Sequence, residues 1–186
     1  MRRLAVAIGL MVGALVVATG AFGQGQQCPP GTTSSGPYCE AQGTRGPDRV
    51  TGTKANESFF MGAGNDRVKA GAGNDRVDGG AGNDVVDGGT GRDILIGGRG
   101  NDDVDGGSGN DRVSGSSGAD TVSGGSGSDR VSGGPGADKV SGGSGNDLLF
   151  VRDGSRDTVS CGAGDDGVSA DRSDVVASDC ERVHRG

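Results

Sequence analysis

Aromatic side chains are nearly missing from this sequence. It has no tryptophan, one tyrosine and four phenylalanines, and hydrophobic residues fill 31% of its 186 positions. That leaves little with which to build an ordinary core. The chain also carries 42 glycines, and each loses more backbone freedom on folding than any other residue. Burial of apolar surface alone is therefore not expected to hold it. A basic face is lacking too. The net charge is −7, and lysine and arginine are scattered among more numerous carboxylates, so phosphate neutralisation, and with it nucleic-acid binding, is excluded as a function. The sequence has a single histidine, His184, and four cysteines with no CxxC, which argues against a zinc site. Neither HExxH nor GxSxG occurs, and no enzyme is expected.

Long hydrophobic runs are confined to the start. Arg2 and Arg3 precede an apolar stretch from Leu4 to Val17, followed by small residues. Residues 1–23 read as a secretory signal peptide, with cleavage after Ala21 or Gly23, and the stretch is shorter than the ~20 residues of a membrane span. The mature chain is then expected to be extracellular and soluble, with no span of its own. Four cysteines suit that compartment. They lie in two distant pairs, Cys28 with Cys39 and Cys161 with Cys180. Of the three possible pairings, local pairing is the simplest, because each bridge would clamp one end.

What the sequence has in abundance is a period. From Met61 to Phe150 it divides without gaps into ten units of nine residues. Position six is always aspartate: Asp66, Asp75, Asp84, Asp93, Asp102, Asp111, Asp120, Asp129, Asp138 and Asp147. Position four is always glycine: Gly64, Gly73, Gly82, Gly91, Gly100, Gly109, Gly118, Gly127, Gly136 and Gly145. Position eight is always valine or leucine, and position two is glycine except at Ser116. The frame extends upstream through Gly46, Asp48 and Val50, and through Glu57 and Phe59. Downstream it slips by one residue at Val151, then resumes with Asp157-Thr158-Val159 and with Gly162, Gly164, Asp166 and Val168.

These units resemble the GGxGxDxUx repeat of RTX (hemolysin-type) calcium-binding proteins, as in Gly79-Gly80-Ala81-Gly82-Asn83-Asp84-Val85-Val86-Asp87. The resemblance covers about residues 43–169. The end of the chain, with a cysteine in a last degenerate repeat and a second in Asp179-Cys180-Glu181, is similar to small exported actinobacterial proteins of this kind. The resemblance implies calcium ions lying between successive turns on one edge. It also marks a departure: RTX toxins and proteases that use a type I exporter have no N-terminal signal.

The residues support the same chemistry independently. The glycine-rich positions one to six suit a turn with positive φ, and positions seven to nine suit a short strand with one aliphatic pointing inward. Nine residues make half a coil, and eighteen make a full coil of a right-handed parallel β-roll, an all-β solenoid. Aspartates 18 residues apart then stack, Asp66, Asp84, Asp102, Asp120 and Asp138 on one edge and Asp75, Asp93, Asp111, Asp129 and Asp147 on the other. Two such turns can offer a cation two carboxylates and several glycine carbonyls, the oxygen-rich set that Ca²⁺ prefers over Mg²⁺. Without ions the carboxylates stacked in each column would repel one another, so the roll is expected to need calcium to fold.

The organisation expected is a segment at 24–42 with a Cys28–Cys39 loop, a calcium-binding roll at 43–150, and a cap at 151–186 closed by Cys161–Cys180. Two units break the polar outer pattern, Ile94-Leu95-Ile96 and Leu148-Leu149-Phe150, and both fall on one face. The functional expectation is a secreted calcium-ion-binding protein with a structural or adhesive role toward a cell-surface or matrix component. The alternatives are an ice- or surface-binding roll, which would want a regular row of threonines, and an RTX module parted from an enzymatic domain.

Overall fold

A computed structural model describes residues 39–186, and of Cys39 and Glu40 the backbone alone. The expected signal peptide, the segment up to Tyr38 and the Cys28–Cys39 bridge lie outside the described residues. Within them the chain forms seventeen strands and no helix, from β1 (Cys39–Gln42) to β17 (Arg182–Arg185). Odd-numbered strands make one nine-stranded sheet and even-numbered strands an eight-stranded one. All pairings are parallel, and successive strands alternate between the two sheets.

The register follows the period directly. Val104 pairs with Val122 and Val122 with Val140 in one sheet, while Val113 pairs with Val131 and Val131 with Leu149 in the other. Each step is 18 residues, one full coil. Across the slip at Val151 the step is 19, as in Val140 with Val159 and Leu149 with Val168, and in the last coil it shortens, as in Val159 with Val176 and Val168 with Val183. The extra residue is absorbed in a turn where Gly154 takes φ +92°, and the roll continues beyond it with its sheets intact. The all-β parallel roll expected from the repeat is therefore what the chain builds.

The strands are longer than three residues. In several units they run from position seven to position three of the next, as in β5 (Arg76–Ala81) and β10 (Thr121–Ser126). The reason is that alternation continues past position nine. Position eight is buried in every unit, and so is position one, where Met61, Ala70, Val151, Cys161 and Ala170 are 0–1% exposed. The core between the sheets thus has two inward columns per side, one aliphatic and one mostly glycine. The expectation of a turn over positions one to six is corrected accordingly, since positions one to three often belong to the ladder. At the C-terminal end Cys161, in the inward glycine column, is bridged to Cys180, and β15 (Gly167–Ala170) pairs with β17.

Candidate metal centre

The turns that remain, positions four to six, are dictated by close approach between coils. All ten position-four glycines have φ between +120° and +150°. A Cβ on Gly109 would sit 1.5 Å from the carbonyl oxygen of Gly91, and one on Gly100 would sit 2.0 Å from that of Gly82. A side chain does not fit there. Where position five is asparagine, its side chain reinforces the stacking. Asn83 Oδ1, for example, accepts the N–H of Asn101, one coil on, at 2.9 Å.

The aspartates at position six stand in the two columns anticipated from the spacing, one preceding the even strands and one preceding the odd strands. They are almost wholly buried, at 0–3% exposed. In each column the Oδ1 of one aspartate accepts the backbone N–H of the aspartate one coil earlier. Asp84 donates to Asp102 at 2.8 Å, and Asp102 to Asp120 at 2.8 Å; on the other edge Asp93 donates to Asp111 and Asp111 to Asp129, both at 2.8 Å. The second oxygen is different. Oδ2 of all ten aspartates, and of Asp157 and Asp166, is buried without any hydrogen-bond partner.

Burial without a partner disfavours the charged form. Burial is the largest cause in each case, opposed by the ladder hydrogen bond and, for most of the columns, reinforced by neighbouring carboxylates. Asp75 is pushed up to about 7. Asp66, Asp102, Asp111, Asp138, Asp147 and Asp157 are pushed up to about 6, and Asp84, Asp93, Asp120 and Asp129 are raised for the same reason.

Carbonyl oxygens complete the donor inventory. The carbonyls of positions three and six accept hydrogen bonds between coils, as in Gly82 N–H to Arg99 O at 2.7 Å and Thr121 N–H to Asp102 O at 2.8 Å. In the ten units those of positions four and five accept none among the described residues. Each turn therefore combines a buried, unpartnered carboxylate oxygen with two uncommitted carbonyls, a purely oxygen set with excess negative charge. That chemistry fits a hard divalent cation such as Ca²⁺ and gives soft metals no nitrogen or sulfur. Asp157 and Asp166 join the columns beyond the units first counted. The resumed frame after Val151 was the signal for them.

The fold and these turns define a class of protein, a parallel β-solenoid with a column of carboxylates along each edge. A family model of the RTX calcium-binding nonapeptide repeat, spanning four copies, matches residues 41–68, 51–86, 60–95, 78–113, 87–122 and 114–149. The chain belongs to that family. No curated protein matches it.

Proposed function

We propose that this is a secreted calcium-binding repeat protein in which Ca²⁺, held between successive turns of each edge, drives the roll to fold and presents its outer faces to a cell-surface or matrix component. The observation that carries the reading is the pair of buried columns whose Oδ2 atoms lack partners. The groups that would hold the ions are the carboxylates of Asp66 to Asp147 with the carbonyls of Gly64 to Gly145. An ion between two turns would neutralise charge that burial otherwise opposes, so its binding energy becomes folding energy. Solenoids of this repeat are typically non-catalytic, and the roll is read as scaffold and surface. The apolar run at the start of the sequence supports export to a compartment where calcium is abundant.

The test is a calcium titration of the oxidised protein followed by circular dichroism, with magnesium and chelator controls. Strand signal should appear cooperatively near millimolar calcium, the weak end of the range that extracellular modules use, and vanish with chelator. A full strand signal in chelator, unchanged by calcium, would reduce the aspartates to turn residues and end this reading.

A further inference from the structure

The two outer faces of the roll differ in chemistry. On the nine-stranded sheet, β7 (Ile94–Arg99), β9 (Arg112–Ser117), β11 (Arg130–Ser132) and β13 (Leu148–Phe150) are consecutive neighbours. Their register aligns two outward columns, Ile94, Arg112, Arg130, Leu148 and Ile96, Ser114, Ser132, Phe150. The small serines leave a shallow depression walled by Ile96 and Phe150 and bordered by the two arginines. Leu148 and Phe150 are 36% and 43% exposed. Neither Arg112 nor Arg130 forms an ion pair among the described residues, and neither column carries a carboxylate between these strands. On the eight-stranded sheet the corresponding outward positions include Asp87, Asp103 and Asp105, and Lys69 is paired with Asp87 at 3.7 Å.

A chain of net charge −7 thus presents a patch between β7 and β13 that holds no carboxylate of its own, with Asp78 at its border beside Ile96, where two stacked guanidiniums lie between apolar walls. Neighbouring strands are about 4.8 Å apart, so the arginines form a close like-charged pair that an anion would relieve. A second copy of the chain is a poor occupant. A two-fold pairing across the depression would bring four arginines together. A bilayer is also poor, because the apolar side chains are split into two groups with the arginines between them rather than gathered into one inserting face.

We infer that this face docks a carboxylated polysaccharide lying across the strands. Arg112 and Arg130 hold carboxylates of nearby sugars in forked hydrogen bonds, Ser114 and Ser132 meet ring hydroxyls, and Ile96 and Phe150 pack against the C–H faces of the sugar rings. The inference deepens the surface role proposed above and rests on the folded roll, so folding and docking are measured separately.

The test uses the full mature protein in excess calcium, with folding followed by circular dichroism and binding of oligogalacturonate followed by calorimetry. Neutral maltooligosaccharide, poly-glutamate and phosphatidylserine vesicles are the comparison ligands. Oligogalacturonate should bind, and more tightly than each of the three. Arg112→Thr/Arg130→Thr should weaken it at least tenfold with the calcium midpoint of folding unchanged, while Lys139→Thr on the opposite sheet leaves binding intact. Phe150→Ser should weaken it several-fold. No binding by folded wild-type protein, equal binding of poly-glutamate or vesicles, or undiminished binding by the double arginine variant would overturn the assignment. Failure to fold in calcium would instead count against the calcium reading.

Discussion

The ends of the roll and its middle treat the same carboxylate differently. At Asp48 the second oxygen accepts the N–H of Thr44 at 2.6 Å, at Glu57 it accepts that of Thr53, and at Asp174 it accepts that of Asp171 at 2.6 Å. These groups close their own turns. From Asp66 to Asp166 the first oxygen does the same ladder work, yet the second has no partner. The inward position one follows a different boundary. It is glycine at Gly43 and Gly52, holds Met61 and Ala70, is glycine again in every unit from Gly79 to Gly142, and holds Val151, Cys161 and Ala170 beyond the slip. The end turns are thus self-sufficient in hydrogen bonds. The middle has given up side-chain volume for backbone approach and carries unmet charge. In a family of calcium-binding repeats, that contrast separates the coils that cap the stack from the coils that need something else to complete them.

The contrast breaks most visibly if glycines are replaced. Gly100, in the middle, has φ +126° and would bring a Cβ to 2.0 Å from the backbone oxygen of Gly82. Gly154, in the slip loop, has φ +92° and would meet nothing within 4 Å. Gly100→Ala should cost more than about 3 kcal/mol, because two coils must separate. Gly154→Ala should cost only the local strain of an L residue with positive φ, about 1–2 kcal/mol. Unfolding midpoints in saturating calcium measure both. Similar losses would mean that coil contact is no tighter in the middle than in the slip loop.

Acid sharpens the comparison next. In the calcium-free protein, burial pushes Asp75 up to about 7 and Asp102 up to about 6 when folded, from 3.8 when unfolded. Between these values the folded state binds more protons than the unfolded one, so unfolding free energy falls as pH rises. The contribution is fully present below about pH 4 and lost above about pH 7. Chelated protein should therefore gain strand signal as pH drops from 7.5 to 5, without any metal, while the calcium needed to fold it at pH 7.5 is replaced by protons. Chelated protein that is equally unstructured at both values would show that buried charge is not what keeps the calcium-free roll open.

Much of this was legible in the residues. The 18-residue register, the alternation of aspartates between edges and the inward aliphatic at position eight all follow from a period that never falters between Met61 and Phe150. Even the shared face of Ile94-Leu95-Ile96 and Leu148-Leu149-Phe150 follows from counting units. Position one was missed because glycine there hides the alternation, and only Met61 and Ala70 within the ten units betray an inward side chain. The division of labour between Oδ1 and Oδ2 could not be read, because it depends on where one coil's N–H points relative to the next. Nor could the unpaired state of Arg112 and Arg130, since Asp111 and Asp129 adjoin them in sequence and are buried in the edge columns rather than on the face.

The smallest expected effect concerns the one of the ten gap-free units in which position two is not glycine. Ser116 has φ +79° and is the single non-glycine residue with positive φ among the described residues. In its column, a Cβ on Gly98 would lie 2.1 Å from the oxygen of Gly80, and one on Gly134 would lie 2.0 Å from that of Ser116 itself. Serine thus puts a real Cβ where coil meets coil closely. Its hydroxyl returns little, a 3.5 Å contact with the Ser114 hydroxyl. Ser116→Gly removes a left-handed strain of about 1–2 kcal/mol and adds unfolded-state freedom of roughly 0.5–1 kcal/mol, so the variant should be more stable by about 0.5–1 kcal/mol. A small rise in the unfolding midpoint in saturating calcium is the expected result. A fall would mean that the serine is held by its neighbours at no cost, and that the middle of the roll tolerates departures from its repeat better than its glycine columns suggest.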